Sequence, residues 1–141
     1  ACDGASTLAE IGALAALAQC MTEHFQTILD RGESLPRLQP WFVRENKWRA
    51  ARYGLDAQII VDRHGSEMAL REHLSELITT LTPIAHRLGC AAELADVTRV
   101  LRFGSSAERQ LAVFEAHGRG PEALRVVVDS LIGEFEHGLA L

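Results

Sequence analysis

The chain is predicted to be all-α: a bundle of about five or six helices with short connections and at most one short extended segment, forming a single domain over residues 1–141. Three features of the sequence carry that expectation. Apolar residues recur at spacings of three and four along most of its length, as one-sided helices require. Helix-start signals (Thr7 with Glu10, Pro40, Ser105 with Glu108, Pro121) alternate with glycine stops at Gly32, Gly54, Gly89 and Gly104. Only one β-branched run stands out, Gln58 to Asp62.

Thr7 and Glu10 have the spacing of a capping box and open the first helix, with Leu8, Ile11, Leu14, Ala15, Ala18, Met21, Phe25, Ile28 and Leu29 as its apolar stripe. Gly32 stops it in the left-handed region. A connector holding Pro36 leads to Pro40, which suits the first position of a second helix ending near Gly54. Gln58 to Asp62 reads as a single extended segment, closed by the turn Arg63-His64-Gly65. A third helix is expected from about Met68 to Leu88, kinked or divided at Pro83. Ala91 to Phe103 makes the fourth. Ser105 to Glu108 caps a fifth, with Leu111, Val113 and Phe114 apolar, and Pro121 starts a sixth carrying Leu124, Val127, Val128, Leu131, Ile132 and Phe135.

Composition narrows the function. Hydrophobic residues make up 48 % and charged residues 23 %, as in a folded chain with a core. The net charge of −5 argues against a general nucleic-acid binder. The basic residues Arg44, Lys47, Arg49, Arg52 and Arg63 nevertheless cluster, which suits a small anionic ligand. The three cysteines are far apart and form no Cys-x-x-Cys arrangement, so a reducing cytoplasm is expected and each cysteine reads as a small core residue. No apolar run reaches membrane-spanning length. A chain starting Ala-Cys-Asp-Gly without Met reads as a processed product or an excised piece.

The densest chemistry lies in Arg44-Glu-Asn-Lys-Trp-Arg-Ala-Ala-Arg-Tyr-Gly-Leu-Asp-Ala57. On a helix, Trp41, Glu45, Trp48 and Arg52 form one row, and Phe42, Asn46, Arg49 and Tyr53 the next. Two readings stand side by side. In the plain one, Glu45 and Arg49 form an intrahelical ion pair worth about 0.3–0.5 kcal/mol when exposed, and the two Trp fill a core. In the other, the helix presents guanidinium groups to phosphate or carboxylate. Asn46 favours the second, because asparagine is a poor mid-helix residue and needs a partner.

The run Glu45-Asn-Lys-Trp-Arg-Ala-Ala-Arg-Tyr-Gly-Leu-Asp-Ala57 resembles the Glu-Asn-x-Trp-x-Ala-x-Arg-x-Gly signature of the type 2 glutamate–cysteine ligase family, which are carboxylate–amine ligases. Further landmarks agree in order: Ala1-Cys-Asp-Gly-Ala-Ser-Thr-Leu8, Gly12 to Leu17, Pro83 to Leu94, and Gly104-Ser-Ser-Ala-Glu-Arg-Gln-Leu111. The resemblance runs from Ala1 to near Leu131 and is nearest an actinobacterial-looking branch. It implies an enzyme in which ATP phosphorylates the γ-carboxylate of glutamate and an amine such as cysteine then attacks.

The family's glutamine-synthetase-like sheet, which binds Mg²⁺–ATP, has no counterpart in this sequence, nor is there a phosphate-cradling glycine loop. The resemblance therefore implies the C-terminal helical part of such a ligase, inactive alone, with ATP and Mg²⁺ serving the intact enzyme and neither binding tightly here. Its partners would be the upstream catalytic part and small-molecule substrates. The residues expected to contact substrate or phosphate are Asn46, Lys47, Arg49, Arg52 and Arg109, with Asn46 and Arg49 foremost. Arg109 and Gln110 belong to another matching landmark and are expected to meet the second helix.

Other signals have plainer explanations. The six His residues form no His-x-x-x-His or His-Glu-x-x-His pair, so no metal site is expected. Asp62 and His64 share a turn, more simply a solvated one than an acid–base pair. Ser105 and Ser106 are accounted for by capping, and Asp3 would be a remnant of an upstream site. The competing class of function is a self-standing helical interaction module. Either way, an apolar face left open invites self-association as a dimer.

Overall fold

In a computed structural model, residues 5–138 are described. The landmark at Ala1 to Gly4, with Cys2 and Asp3, lies outside them. The described residues form six α-helices and a small hairpin: α1 (Leu8–Asp30), α2 (Pro40–Tyr53), a 3₁₀ turn (Gly54–Asp56), β1 (Gln58–Ile60), β2 (Glu67–Ala69), α3 (Leu70–Leu88), α4 (Ala91–Phe103), α5 (Ser106–Ala116) and α6 (Pro121–His137). The expected helical bundle is what forms. Its starts follow local chemistry: Thr7 with Glu10 and Ser105 with Glu108 make complete capping boxes, and Pro40 and Pro121 open their helices.

The core lies where α1, α3 and α4 meet. Ala13, Ala16 and Cys20 face Ile78, Leu81, Ala85, Leu94 and Val97. On α1 the buried stripe is thus one of small residues, with Leu17 and Met21 packed beside it, while Leu8, Ile11, Leu14 and Leu29 are exposed. Alanines let α1 approach two helices closely, and bulky leucines would hold them apart. This is a different face from the stripe the spacing suggests. On α6, Ala123 and Val127 are buried, and Leu124, Val128, Ile132 and Phe135 face outward.

Two local features also differ from expectation. The extended segment is one arm of an antiparallel hairpin, with Gln58 opposite Ala69, Ile59 opposite Met68 and Ile60 opposite Glu67. The third helix accordingly starts at Leu70, two residues later than Met68. It then runs undivided through Pro83. Proline removes the N–H that Thr79's carbonyl would accept, but both residues are exposed, so water can take that carbonyl.

Candidate functional site

α2 lies against the hairpin through the row Phe42, Asn46 and Arg49. Asn46 acts as a strand edge: its Nδ2 donates to the Ile60 carbonyl and its Oδ1 accepts from the Ile60 N–H, both at 2.7 Å. Ile60 is buried, so the amide satisfies two backbone groups that the two-stranded sheet leaves open. This answers why asparagine sits mid-helix. Phe42 approaches the turn at Gly65, whose φ of +88° suits glycine; a methyl there would meet the Phe42 ring at 3.6 Å.

Arg49 reinforces the same junction. Its Nε donates to Glu45 at 2.9 Å, and its Nη1 donates to the Gln58 carbonyl at 3.0 Å and to Glu67 at 2.7 Å. Hydrogen bonds to Glu45 and then Glu67 hold the guanidinium more firmly protonated than usual. The ion pair of the plain reading therefore exists, extended to a second carboxylate. The rest of that reading fails: Trp41 and Trp48 are 56 % and 54 % exposed, and no residue of α2 is buried. Asn46 and Arg49 take the packing row, so the tryptophans turn outward.

An open depression beside this junction is lined by Glu45, Trp48, Arg49, Tyr53, Asp56, Gln58 and Glu67. Trp48 and Tyr53 meet edge to face, with ring centroids 5.9 Å apart. The Arg52 guanidinium lies 5.9 Å from the Trp48 ring centre and 5.7 Å from that of Tyr53. Arg52 and Lys47 are exposed, and neither is in an ion pair among the described residues. Helical geometry places Lys47 with Arg44 on the side of α2 turned away from the hairpin. Arg44 is likewise exposed and in no ion pair among the described residues, so Arg44, Lys47 and Arg52 are the cations of α2 able to take up an anion, while Asn46 and Arg49 hold the helix that carries them. At the tip of the hairpin, Asp62 is pulled down to about 2 by hydrogen bonds from Ser66 and the His64 N–H, which makes it a turn-stabilising carboxylate.

Arg109 occupies a separate place. Its Nε and Nη2 reach Glu134 at 3.0 and 3.1 Å, Nη2 also reaches Glu10 and Ser6 Oγ at 2.7 Å, and Nη1 donates to the Gly104 carbonyl at 2.7 Å. The Arg109, Glu10 and Glu134 side chains are only 13 %, 9 % and 16 % exposed. Burial works against the charge on Glu134, but Arg109 and Ser6 outweigh it and hold its carboxyl below the usual range. Glu10 does two jobs: Oε2 accepts from the Ser6 and Thr7 N–H groups, and Oε1 accepts from Arg109. The Arg109 side chain therefore ties α5 to the start of α1, to α6 and to the turn at Gly104, and among the described residues it makes no hydrogen bond to α2. Its neighbour Glu108 pairs with Arg71 of α3, which also reaches Asp56 in the 3₁₀ turn that follows α2.

Arg49 with its partner Glu45, and Arg109, were legible in the sequence; Glu67, Glu10 and Glu134 as their further partners were not. Glu67 lies 18 positions from Arg49, and Glu10 and Glu134 lie 99 and 25 positions from Arg109. Only Glu10 carried a local signal, its capping box. Among the described residues no three His, Cys, Asp or Glu side chains are placed to hold a metal ion.

Comparison with known proteins gives a family. The family model described as glutamate-cysteine ligase family 2 (GCS2) matches residues 1–129. A protein of Leifsonia xyli subsp. xyli named "Putative glutamate–cysteine ligase 2" is 56 % identical over 139 residues, covering 99 % of this chain and 36 % of that protein. "Putative glutamate–cysteine ligase 2-1" of an Arthrobacter species is 48 % identical, over 97 % of this chain and 35 % of its own length. A Mycobacterium ulcerans protein named "Putative glutamate–cysteine ligase 2" is 49 % identical, over 96 % and 34 %. The chain spans about a third of the length of these relatives. No solved structure gives a significant match.

Proposed function

Because the chain belongs to glutamate–cysteine ligase family 2, we propose that it is the C-terminal helical part of an ATP-dependent carboxylate–amine ligase. In the intact enzyme a γ-carboxylate oxygen of glutamate attacks the terminal phosphorus of ATP, and ADP leaves. An amine, cysteine being the family's label, then attacks the acyl carbon and phosphate departs. The family match over residues 1–129 carries this reading and leaves the interaction-module alternative without support. Among the described residues no three His, Cys, Asp or Glu side chains are grouped to hold Mg²⁺; on this reading the rest of the protein holds the metal and the triphosphate it accompanies, and this part alone is inactive.

The contribution assigned to this part is electrostatic: Lys47 and Arg52 offer positive charge to phosphate or carboxylate, on a helix held in place by Asn46 and Arg49. Arg109 acts at one remove, by fixing α5 and α6. The exposed apolar residues of α1 and α6 support contact with the remaining protein, and in the isolated chain a homodimer; a monodisperse monomer by light scattering at high concentration would count against the dimer. No described helix is long and apolar enough to cross a membrane, and we place the enzyme in the cytoplasm, where ATP and reduced thiols are found. The test is Lys47→Ala and Arg52→Ala in the full-length enzyme. Each should lower kcat/KM at least tenfold with an unchanged melting temperature. Unaltered kinetics in both variants would remove Lys47 and Arg52 from the site.

A further inference from the structure

Two cysteines far apart in sequence meet in the helical core. Cys20 on α1 is fully buried, and Cys90 at the N-terminal cap of α4 is partly exposed. Their sulfurs are 3.6 Å apart, and both are free thiols. A disulfide needs about 2.05 Å, so small side-chain rotations would close the gap. We propose that Cys20 and Cys90 are a peroxide-responsive dithiol, a site of reversible disulfide modification that staples α1 to the start of α4.

The accessible sulfur reacts first. The Cys90 thiolate attacks one oxygen of hydrogen peroxide; the O–O bond breaks, and the departing hydroxide takes up a proton as water. Cys90 is then a sulfenic acid. The Cys20 sulfur attacks the Cys90 sulfur, the S–O bond breaks, and the second water leaves with the Cys20 proton. Two thiols lose two electrons, and one peroxide becomes two waters. Burial first, and then the neighbouring Cys90, push the Cys20 thiol up to about 11. A thiol held protonated is a poor nucleophile, so the first attack on peroxide falls to the more accessible Cys90, and Cys20 attacks only as its proton passes to the leaving oxygen. The cross-link closes a long loop holding α2, the hairpin and α3, so it should stabilise the folded chain by restricting the unfolded one.

The test treats the folded chain with hydrogen peroxide, blocks the remaining thiols and maps the peptides by mass spectrometry. A Cys20–Cys90 cross-linked peptide, with Cys2 alkylated, is expected. The melting midpoint should rise by about 10 °C, return on adding a dithiol, and stay unmoved by peroxide in Cys90→Ala and Cys20→Ala. The same oxidation in guanidinium should scatter the pairing among all three cysteines. Free Cys20 beside Cys90 over-oxidised to sulfinic acid, or cross-links through Cys2 in the folded chain, would overturn the proposal. Wild-type peptide mapping decides the matter even if Cys20→Ala fails to fold.

Discussion

Replacing Arg109 by methionine should be among the most damaging single changes in this chain. The guanidinium satisfies Glu10, Glu134, Ser6 and the Gly104 carbonyl together. Ser6 Oγ lies 3.0 Å from Glu10 and 2.7 Å from Glu134, but its single proton serves one carboxylate at a time. Without Arg109, two mostly buried carboxylates face each other with no cation. Leaving such charge uncompensated costs about 3–5 kcal/mol, a large share of the roughly 5–15 kcal/mol that holds a domain together. The melting midpoint should fall by more than about 10 °C.

The pH dependence separates this cause from lost packing. In the wild type Glu134 is held below its ordinary range, so its stabilisation is present above that range and disappears as pH falls through its folded-state value. In Arg109→Met the main force holding the Glu134 carboxyl down is gone, so burial pushes it upward instead and protonation relieves it. The stability gap between the two proteins, read by urea unfolding, should narrow as pH falls from 7 toward about 4. Arg109→Lys should lie between them, because one ammonium cannot reproduce a fork of donors. A gap under about 1 kcal/mol, or one that does not change with pH, would refute the reasoning.

Two further changes probe the junctions. Asn46→Ala strips both partners from the buried Ile60 backbone and should cost about 2 kcal/mol or more in urea unfolding, with faster amide exchange at Ile60; full protection at that amide would contradict its role. Pro83→Ala returns an N–H to the exposed Thr79 carbonyl inside α3 and should raise stability by about 1–3 kcal/mol; an unchanged thermal midpoint would show that the proline costs nothing there.

The helices were legible wherever their determinants are local. Thr7 and Glu10, or Ser105 and Glu108, need only three residues to close a cap, and a proline at 40 or 121 needs no partner. The second strand was not, because Glu67-Met68-Ala69 has no β-rich pattern and pairs only once β1 offers its edge. The face that α1 buries was misleading for a related reason: periodicity ranks Leu8 and Leu14 above Ala13 and Ala16, while close helix packing favours the alanines. At the site, the motif pointed to Asn46 and Arg49 as notable residues. What each touches depended on a hairpin of which only the first strand and the turn carried a local signal. Arg109 was visible as part of a landmark, yet its partners lie on helices at opposite ends of the chain.

The most direct test of the account is glutamate-dependent ADP release with Mg²⁺–ATP and cysteine, measured for this chain alone and for the full-length protein that contains it. Turnover is expected in the full-length protein and none from the chain alone, if the helical part supplies charge and support and the triphosphate site lies elsewhere, as proposed. Turnover by the isolated chain, or none by the full-length protein with cysteine or any other amine, would contradict it.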